Sequence, residues 1–171
     1  ATHKGKHRGL ARDGTITFKQ QPVSQLELNI QRGIRAIVDY AKEASQQSNS
    51  DELTQSDCNQ GYRVRIPADH EIEGAFTSKS HAPRAFRHVR KVLGVSDEHF
   101  VDSICDHRLT MLKTPGKSGA LFFKSADGRY LLKTVSKGES KFFRSILHDY
   151  VLHVESMTVE HRLRTLIPHF Y

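Results

Sequence analysis

Between Pro115 and Glu139 the chain reads PGKSGALFFKSADGRYLLKTVSKGE, and three features there could do chemistry. Gly116-Lys117-Ser118-Gly119 is a small-residue turn whose backbone N–H groups can come close to an anionic phosphate. Lys133 interrupts an apolar run, Leu131-Leu132-Lys133-Thr134-Val135, where lysine rarely stands without a partner. Glu139 is the nearest carboxylate that follows it, at the start of a helical pattern. A Gly-rich turn, a strand with a central Lys and a helix with a Glu is an order that can cover a nucleotide and set a cation beside its phosphates. The same residues also fit an edge-strand lysine beside a surface glutamate.

Other chemistries are less well served. A Walker loop needs Gly five residues before Gly116, where Met111 stands, and a helix directly afterwards, where an apolar strand follows. His148-Asp149 lacks the intervening Arg of a kinase catalytic loop, and Val154 occupies the place of its downstream Asn. The His148, His153, His161 and His169 series has no acidic or Cys ligand at a fixed spacing, so no metal site is expected. No Ser/His/Asp or Cys/His arrangement stands out.

The elements around these residues can be read from periodicity. Pro22 precedes a helix from Val23 to about Ala44, opened by a Ser24/Glu27 capping pattern, with Val23, Leu26, Ile30, Ile34, Ile37 and Ala41 on one face. Residues 46–60 are rich in Ser, Asn, Gln and Asp and read as a polar loop. Tyr62, Val64 and Ile66 alternate with Arg63 and Arg65 in a short strand, and a second strand fits Glu71–Lys79. Pro83 opens a helix that Gly94 closes, with Phe86, Val89 and Leu93 inward and Arg84, Arg87, Arg90 and Lys91 mostly outward. Ser96 caps a short helix anchored by Phe100 and Ile104. Asp127-Gly128 between apolar runs predicts a hairpin. A helix from Gly138 to about Tyr150 is predicted to bury Phe142, Phe143, Ile146 and Leu147, and Glu160–Ile167 forms a further helix or strand before Pro168. Strands grouped with helices, without regular alternation, predict an α+β fold with an antiparallel sheet.

Composition bounds the partners. The 171 residues carry a formal net charge of +7 with a pI near 9.5, which favours an anionic partner. Residues 1–22 read as a basic, flexible arm. Cys58 and Cys105 are the only cysteines, so a disulfide framework is excluded and a reducing, intracellular compartment is expected. There is no run of about 20 apolar residues. Without a zinc pattern, an RNA-binding aromatic motif or a repeat, nucleic acid is not the expected partner.

Five stretches together resemble the amino-terminal part of the phosphatidylinositol phosphate kinases: Leu28–Arg35, Ala82–Arg87 with Arg90, Pro115–Phe123, Leu131–Val135 and Leu166–Tyr171. They occur in order over about residues 26–171. The resemblance implies that residues 23–171 form a kinase-like small lobe, an incomplete kinase fold, cut before the large lobe. It implies that Gly116, Lys117, Ser118 and Gly119 cover the phosphates of ATP, that Lys133 contacts them and that Glu139 partners Lys133. It implies an anionic phosphoinositide membrane face, with Arg63, Arg65, Arg84, Arg87 and Arg90 as candidates; a solvated or salt-bridged face is the alternative for these arginines. It also implies a possible homodimer, a cytoplasmic protein bound peripherally to the cytosolic face of a membrane, and Mg2+ held by ligands outside this chain. Ala120 departs from the family loop, where Ser is common. The catalytic and metal-binding Asp residues lie beyond Tyr171 in the family, so no catalytic residue is expected here and the chain alone is expected to be inactive. The rival expectation is a non-catalytic dimerising or membrane-docking module.

Overall fold

A computed structural model describes residues 8–10, 16–18, 21–47, 53–72, 74–112, 120–160 and 165–171. The apolar stripe that begins at Val23 becomes helix α1, Val23–Gln47. Ahead of it, β1 (Arg8–Leu10), β2 (Ile16–Phe18) and β3 (Gln21–Pro22) pair as an antiparallel sheet. Residues 8–10, 16–18 and 21–22 of the stretch read as a flexible arm are thus strand. In the polar 46–60 stretch, α1 runs on to Gln47 and Thr54 caps a short helix α2 (Gln55–Asn59) through a reciprocal capping box with Asp57.

The alternation at Tyr62–Ile66 does mark a strand, β4 (Gly61–Ile66), paired along its full length with β5 (Phe76–His81). The second strand starts later than expected, because the Asp69 carboxylate accepts from the Glu71 and Ile72 N–H groups and turns the chain there. Tyr62, Val64 and Ile66 face inward beneath α1, where the Tyr62 ring stacks on Tyr40. Gly33 brings α1 close to β5: a Cβ there would lie 2.6 Å from Ser78 Oγ.

Helix α3 (Pro83–Val92) ends at Leu93, and Gly94 follows in the left-handed conformation. Helix α4 (Asp97–Val101) is capped by Ser96 and continues directly into a π-helical turn, Asp102–Asp106. Phe100 and Ile104 are buried, as their spacing predicts. Then β6 (Thr110–Leu112), β7 (Phe122–Lys124) and β8 (Leu131–Lys133) form an antiparallel sheet in that order. Helices α5 (Lys137–Ser145) and α6 (Leu147–Glu160) follow. The architecture is α+β, as strand and helix signals without regular alternation predict, with small antiparallel sheets flanked by helices.

Two details of the burial reading are corrected. The break at Ile146 separates α5 from α6 and turns one face outward: Leu147 and Phe143 face the core, whereas Phe142 is 67% exposed and Ile146 is also exposed. Of the element expected at 160–167, Glu160 ends α6 and residues 165–167 are neither helix nor strand; residues 161–164 lie outside the described residues.

The arginines of α3 do not mostly face out. Arg90 is 4% exposed, lies 4.5 Å above the Phe100 ring and donates to Asp97 Oδ1 at 3.0 Å. Arg87 Nε donates to the other oxygen of Asp97 at 2.7 Å, and Arg84 donates to buried Asp57 at 2.7 Å. A guanidinium can leave water when a carboxylate goes with it, and Asp57 and Asp97 supply those carboxylates from the neighbouring helices. Asp97→Ala would leave Arg90 buried without its counter-ion. It is expected to lower unfolding free energy by about 3 kcal/mol or more, whereas Glu71→Gln, which weakens the exposed Arg32–Glu71 pair, is expected to cost less than about 1 kcal/mol. Urea denaturation of the two variants measures the difference.

Candidate functional site

Sheet β6–β7–β8 has two unlike faces because of its register. Met111, Phe123 and Leu132 point one way, and Phe123 is fully buried beside Leu109, Leu121 and the Val23, Leu26 and Ile30 side chains of α1. Opposite residues share a face in an antiparallel ladder. The pairs Leu112↔Phe122↔Lys133 and Thr110↔Lys124↔Leu131 therefore make up the other face. Phe122 and Leu112 are half-buried there and Leu131 is 58% exposed. Leu112, Phe122 and Leu131 thus offer apolar surface on the same face as Lys133 and the exposed Lys124.

Lys133 is held in place on this face. Its Nζ donates to Glu139 Oε1 at 2.9 Å, while Glu139 Oε2 accepts from the Ser136 N–H at 2.7 Å. The Ser136 hydroxyl in turn accepts from the Glu139 N–H, closing a capping box at the start of α5. One carboxylate therefore starts the helix and orients the lysine. The hydrogen bond from Lys133, followed by those from Ser136, draws the Glu139 carboxyl down from 4.5 to about 2. On the strand side, the Thr134 N–H donates to Leu121 O at 3.0 Å and the Leu121 N–H donates to Thr134 Oγ1 at 2.9 Å.

Of the residues singled out from sequence, Lys133 and Glu139 are brought together. Gly116, Lys117, Ser118 and Gly119 lie outside the described residues; the strands that flank them in sequence, β6 and β7, are antiparallel neighbours. Arg63 and Arg65 are exposed on the outer side of β4. The exposed Lys79 lies opposite Arg63, and His81 ends the same side of β5. Strands β4 and β5 contain no Asp or Glu. Burial, then the charge of Arg144, hold the His81 imidazole below its ordinary value, so Arg63, Arg65 and Lys79 carry the charge of this face at neutral pH. Arg84, Arg87 and Arg90 pair instead with Asp57 and Asp97, Arg90 buried and the other two partly so.

Sequence reasoning missed Leu131, Leu112 and Lys79 as parts of these faces. The signal for Leu131 was present, since it stands two residues from Lys133 on the same strand. Lys79 needed the cross-strand register. Among the described residues no three His, Cys, Asp or Glu side chains are grouped to hold a metal ion, and no helix is long and apolar enough to cross a membrane.

The Lys133–Glu139 pair has a pH signature. Because the folded-state value of Glu139 is depressed, its contribution to stability is whole above about pH 4.5 and is lost as pH falls toward 2. An NMR titration of the Glu139 carboxyl is expected to show a midpoint near 2 that moves up toward 4.5 in Lys133→Met. A wild-type midpoint at 4.5 would mean the pair does not form.

Residues 103–171 match the family model described as phosphatidylinositol-4-phosphate 5-kinase. The type-1 phosphatidylinositol 4-phosphate 5-kinase of Drosophila melanogaster is 30% identical over 172 residues, covering 96% of this chain and 20% of the fly protein. The type-1 alpha phosphatidylinositol 4-phosphate 5-kinase of Mus musculus is 31% identical over 173 residues, covering 96% of this chain and 30% of the mouse protein. The human type-1 beta protein is 37% identical over 105 residues, covering 61% of this chain and 18% of its own length. The chain therefore spans less than a third of each of these relatives. By sequence, the chain belongs to the phosphatidylinositol phosphate kinase family.

Proposed function

We propose that this chain is the nucleotide-gripping and membrane-facing small lobe of a lipid kinase, one that transfers the terminal phosphate of ATP to the inositol ring of a phosphatidylinositol monophosphate. The observation that carries the reading is the Lys133–Glu139 pair on the face that also bears Leu112, Phe122 and Leu131. A flat purine ring fits an apolar surface, and a lysine held by a carboxylate is suited to the adjoining phosphates. Gly116 to Gly119, between β6 and β7 in sequence, are assigned to cover those phosphates. By analogy with the relatives' names, the lipid substrate is phosphatidylinositol 4-phosphate.

When bound, Mg·ATP supplies the phosphoryl group and the charge that shields it. The chain's own part is to orient Lys133, present the apolar surface beside it and meet the lipid surface. None of the described side chains is assigned to bind Mg2+ or to activate the inositol hydroxyl, so this chain by itself is expected to bind without turnover. In a full-length protein carrying the lobe, Lys133→Met is expected to abolish lipid phosphorylation while the protein stays folded, as read by circular dichroism. Retention of normal activity would remove Lys133 from its assigned role.

The outer side of β4–β5 supports the membrane half of the proposal, because Arg63, Arg65 and Lys79 stand together on strands without a carboxylate. The reading places the protein at the cytosolic face of a membrane as a peripheral component. Each such cation near an anionic surface contributes on the order of 1 kcal/mol. Arg63→Ala with Arg65→Ala is therefore expected to weaken binding to vesicles containing phosphatidylserine and phosphatidylinositol 4-phosphate by roughly thirtyfold. Raising salt should weaken wild-type binding as well. Binding that ignores both the substitutions and the salt would overturn this face. The same cationic face also fits a membrane-docking module without catalysis, and activity of the full-length protein that depends on Lys133 separates the two readings.

A further inference from the structure

Lys133 stands on a strand of three residues at the edge of its sheet, with the Asp127-Gly128 turn at one end and the Thr134–Leu121 closure at the other. Short hairpins of this kind are marginal by themselves. The turn is tied down by unusual means. Asp127 Oδ1 accepts from Ser125 Oγ at 2.6 Å, from Ser103 Oγ at 2.7 Å and from the Arg129 N–H at 3.1 Å. Ser125 is fully buried, and its hydroxyl also accepts from the Tyr130 N–H at 3.0 Å. Gly128 supplies the left-handed residue that the turn requires.

Ser103 is the distant member of this set. It is buried in the π-helical turn, which is itself fixed to α1: Gln31 Nε2 donates to Ile104 O at 2.9 Å and to His107 O at 2.8 Å. Glu27 Oε1 accepts from the Leu109 N–H at 2.7 Å, just before β6. A π-turn leaves backbone carbonyls displaced from regular helical partners, and here Gln31 takes up two carbonyls at its end. The result is a continuous run of hydrogen bonds from α1, through the π-turn, to the tip of the β7–β8 hairpin. Tyr130, next to that tip, packs edge-on against Phe100 of α4 and against Tyr171.

We propose that Ser103 and Asp127 are positioning residues: by pinning the hairpin tip to the π-turn they set where β8 presents Lys133 to Glu139 and to a nucleotide phosphate. The proposal rests on the nucleotide reading for its function, but the placement of Lys133 can be read without it. The buried serine hydroxyl donates to a carboxylate whose other side reaches solvent, a charge-assisted contact and a strong class of hydrogen bond. Its loss frees the tip to swing, and the edge strand moves with it.

The test is the acylation rate of Lys133 by sulfo-N-hydroxysuccinimide acetate, followed by peptide mass spectrometry, with exposed Lys137 as the internal reference. In wild type the Glu139 contact slows reaction at Lys133, and Glu139→Gln sets the unprotected rate. Ser103→Ala is expected to move the Lys133 rate severalfold toward that limit with Lys137 unchanged. Asp127→Ala should do the same, and Ser103→Thr should restore the wild-type rate. A folded Ser103→Ala or Asp127→Ala protein whose Lys133 reacts at the wild-type rate, whatever its melting temperature, overturns the proposal. Mg·ATP added to the wild type separates the two ideas: failure to slow Lys133 acylation counts against the nucleotide reading and leaves the result on the pin standing. In an active full-length protein, Ser103→Ala is expected to raise the KM for ATP about fivefold while kcat stays within about twofold. A fall in kcat alone would contradict the positioning role.

Discussion

None of the sheets in this lobe can stand alone, and α1 is what they pack against. Strands of two to six residues in sheets of two or three are below the size that folds independently in water. The helix meets this constraint with several sectors of one surface. Val23, Leu26 and Ile30 cover the inner face of β6–β7–β8, and Ile34 and Val38 reach the Phe100 cluster. Tyr40 stacks on β4, while Gly33 removes the side chain that would hold β5 away. Between these apolar sectors, Glu27 and Gln31 take up backbone groups of the π-turn and of the segment entering β6. A misplaced α1 would therefore disturb both the cationic sheet and the lysine strand.

Charge is sorted by burial. The α3 arginines form the inner set, each with a carboxylate from α2 or α4, and they hold those helices together. Arg63, Arg65 and Lys79 form the outer set, on a sheet without acids. The net positive charge of the sequence is thus not spread evenly: part is neutralised inside, and part is concentrated where a partner can meet it. The exposed Arg32 and Lys42 pairs on α1 lie between these extremes and contribute little to stability.

Much of this was legible in the residues. The stripe of α1, the cap at Ser96, the Pro83 start and Gly94 end of α3, and the Asp127-Gly128 hairpin are local signals, and local signals survive folding. The direction of Arg84, Arg87 and Arg90 was not legible, because helical spacing says which residues share a face and not what that face meets. Their carboxylates come from Asp57 and Asp97, and Asp57 lay in a stretch whose polar composition disguised its capping box. The outward turn of Phe142 depended on a helix break at Ile146 that no Pro or Gly announces. The pairing of Lys133 with Glu139 was anticipated from order along the chain. The pin from Ser103 to Asp127 spans two elements with no pattern in common, and only the packed structure places them together.

The central claim is that the open face of β6–β7–β8, ending at Lys133, receives a nucleotide. The most direct measurement is a structure of a full-length protein carrying this lobe, bound to Mg2+ and a non-hydrolysable ATP analogue. The account predicts the purine against Leu112, Phe122 and Leu131, with a phosphate oxygen within hydrogen-bonding reach of Lys133 Nζ and Glu139 still paired with that lysine. A nucleotide bound elsewhere, or one whose phosphates do not approach Lys133, would contradict it.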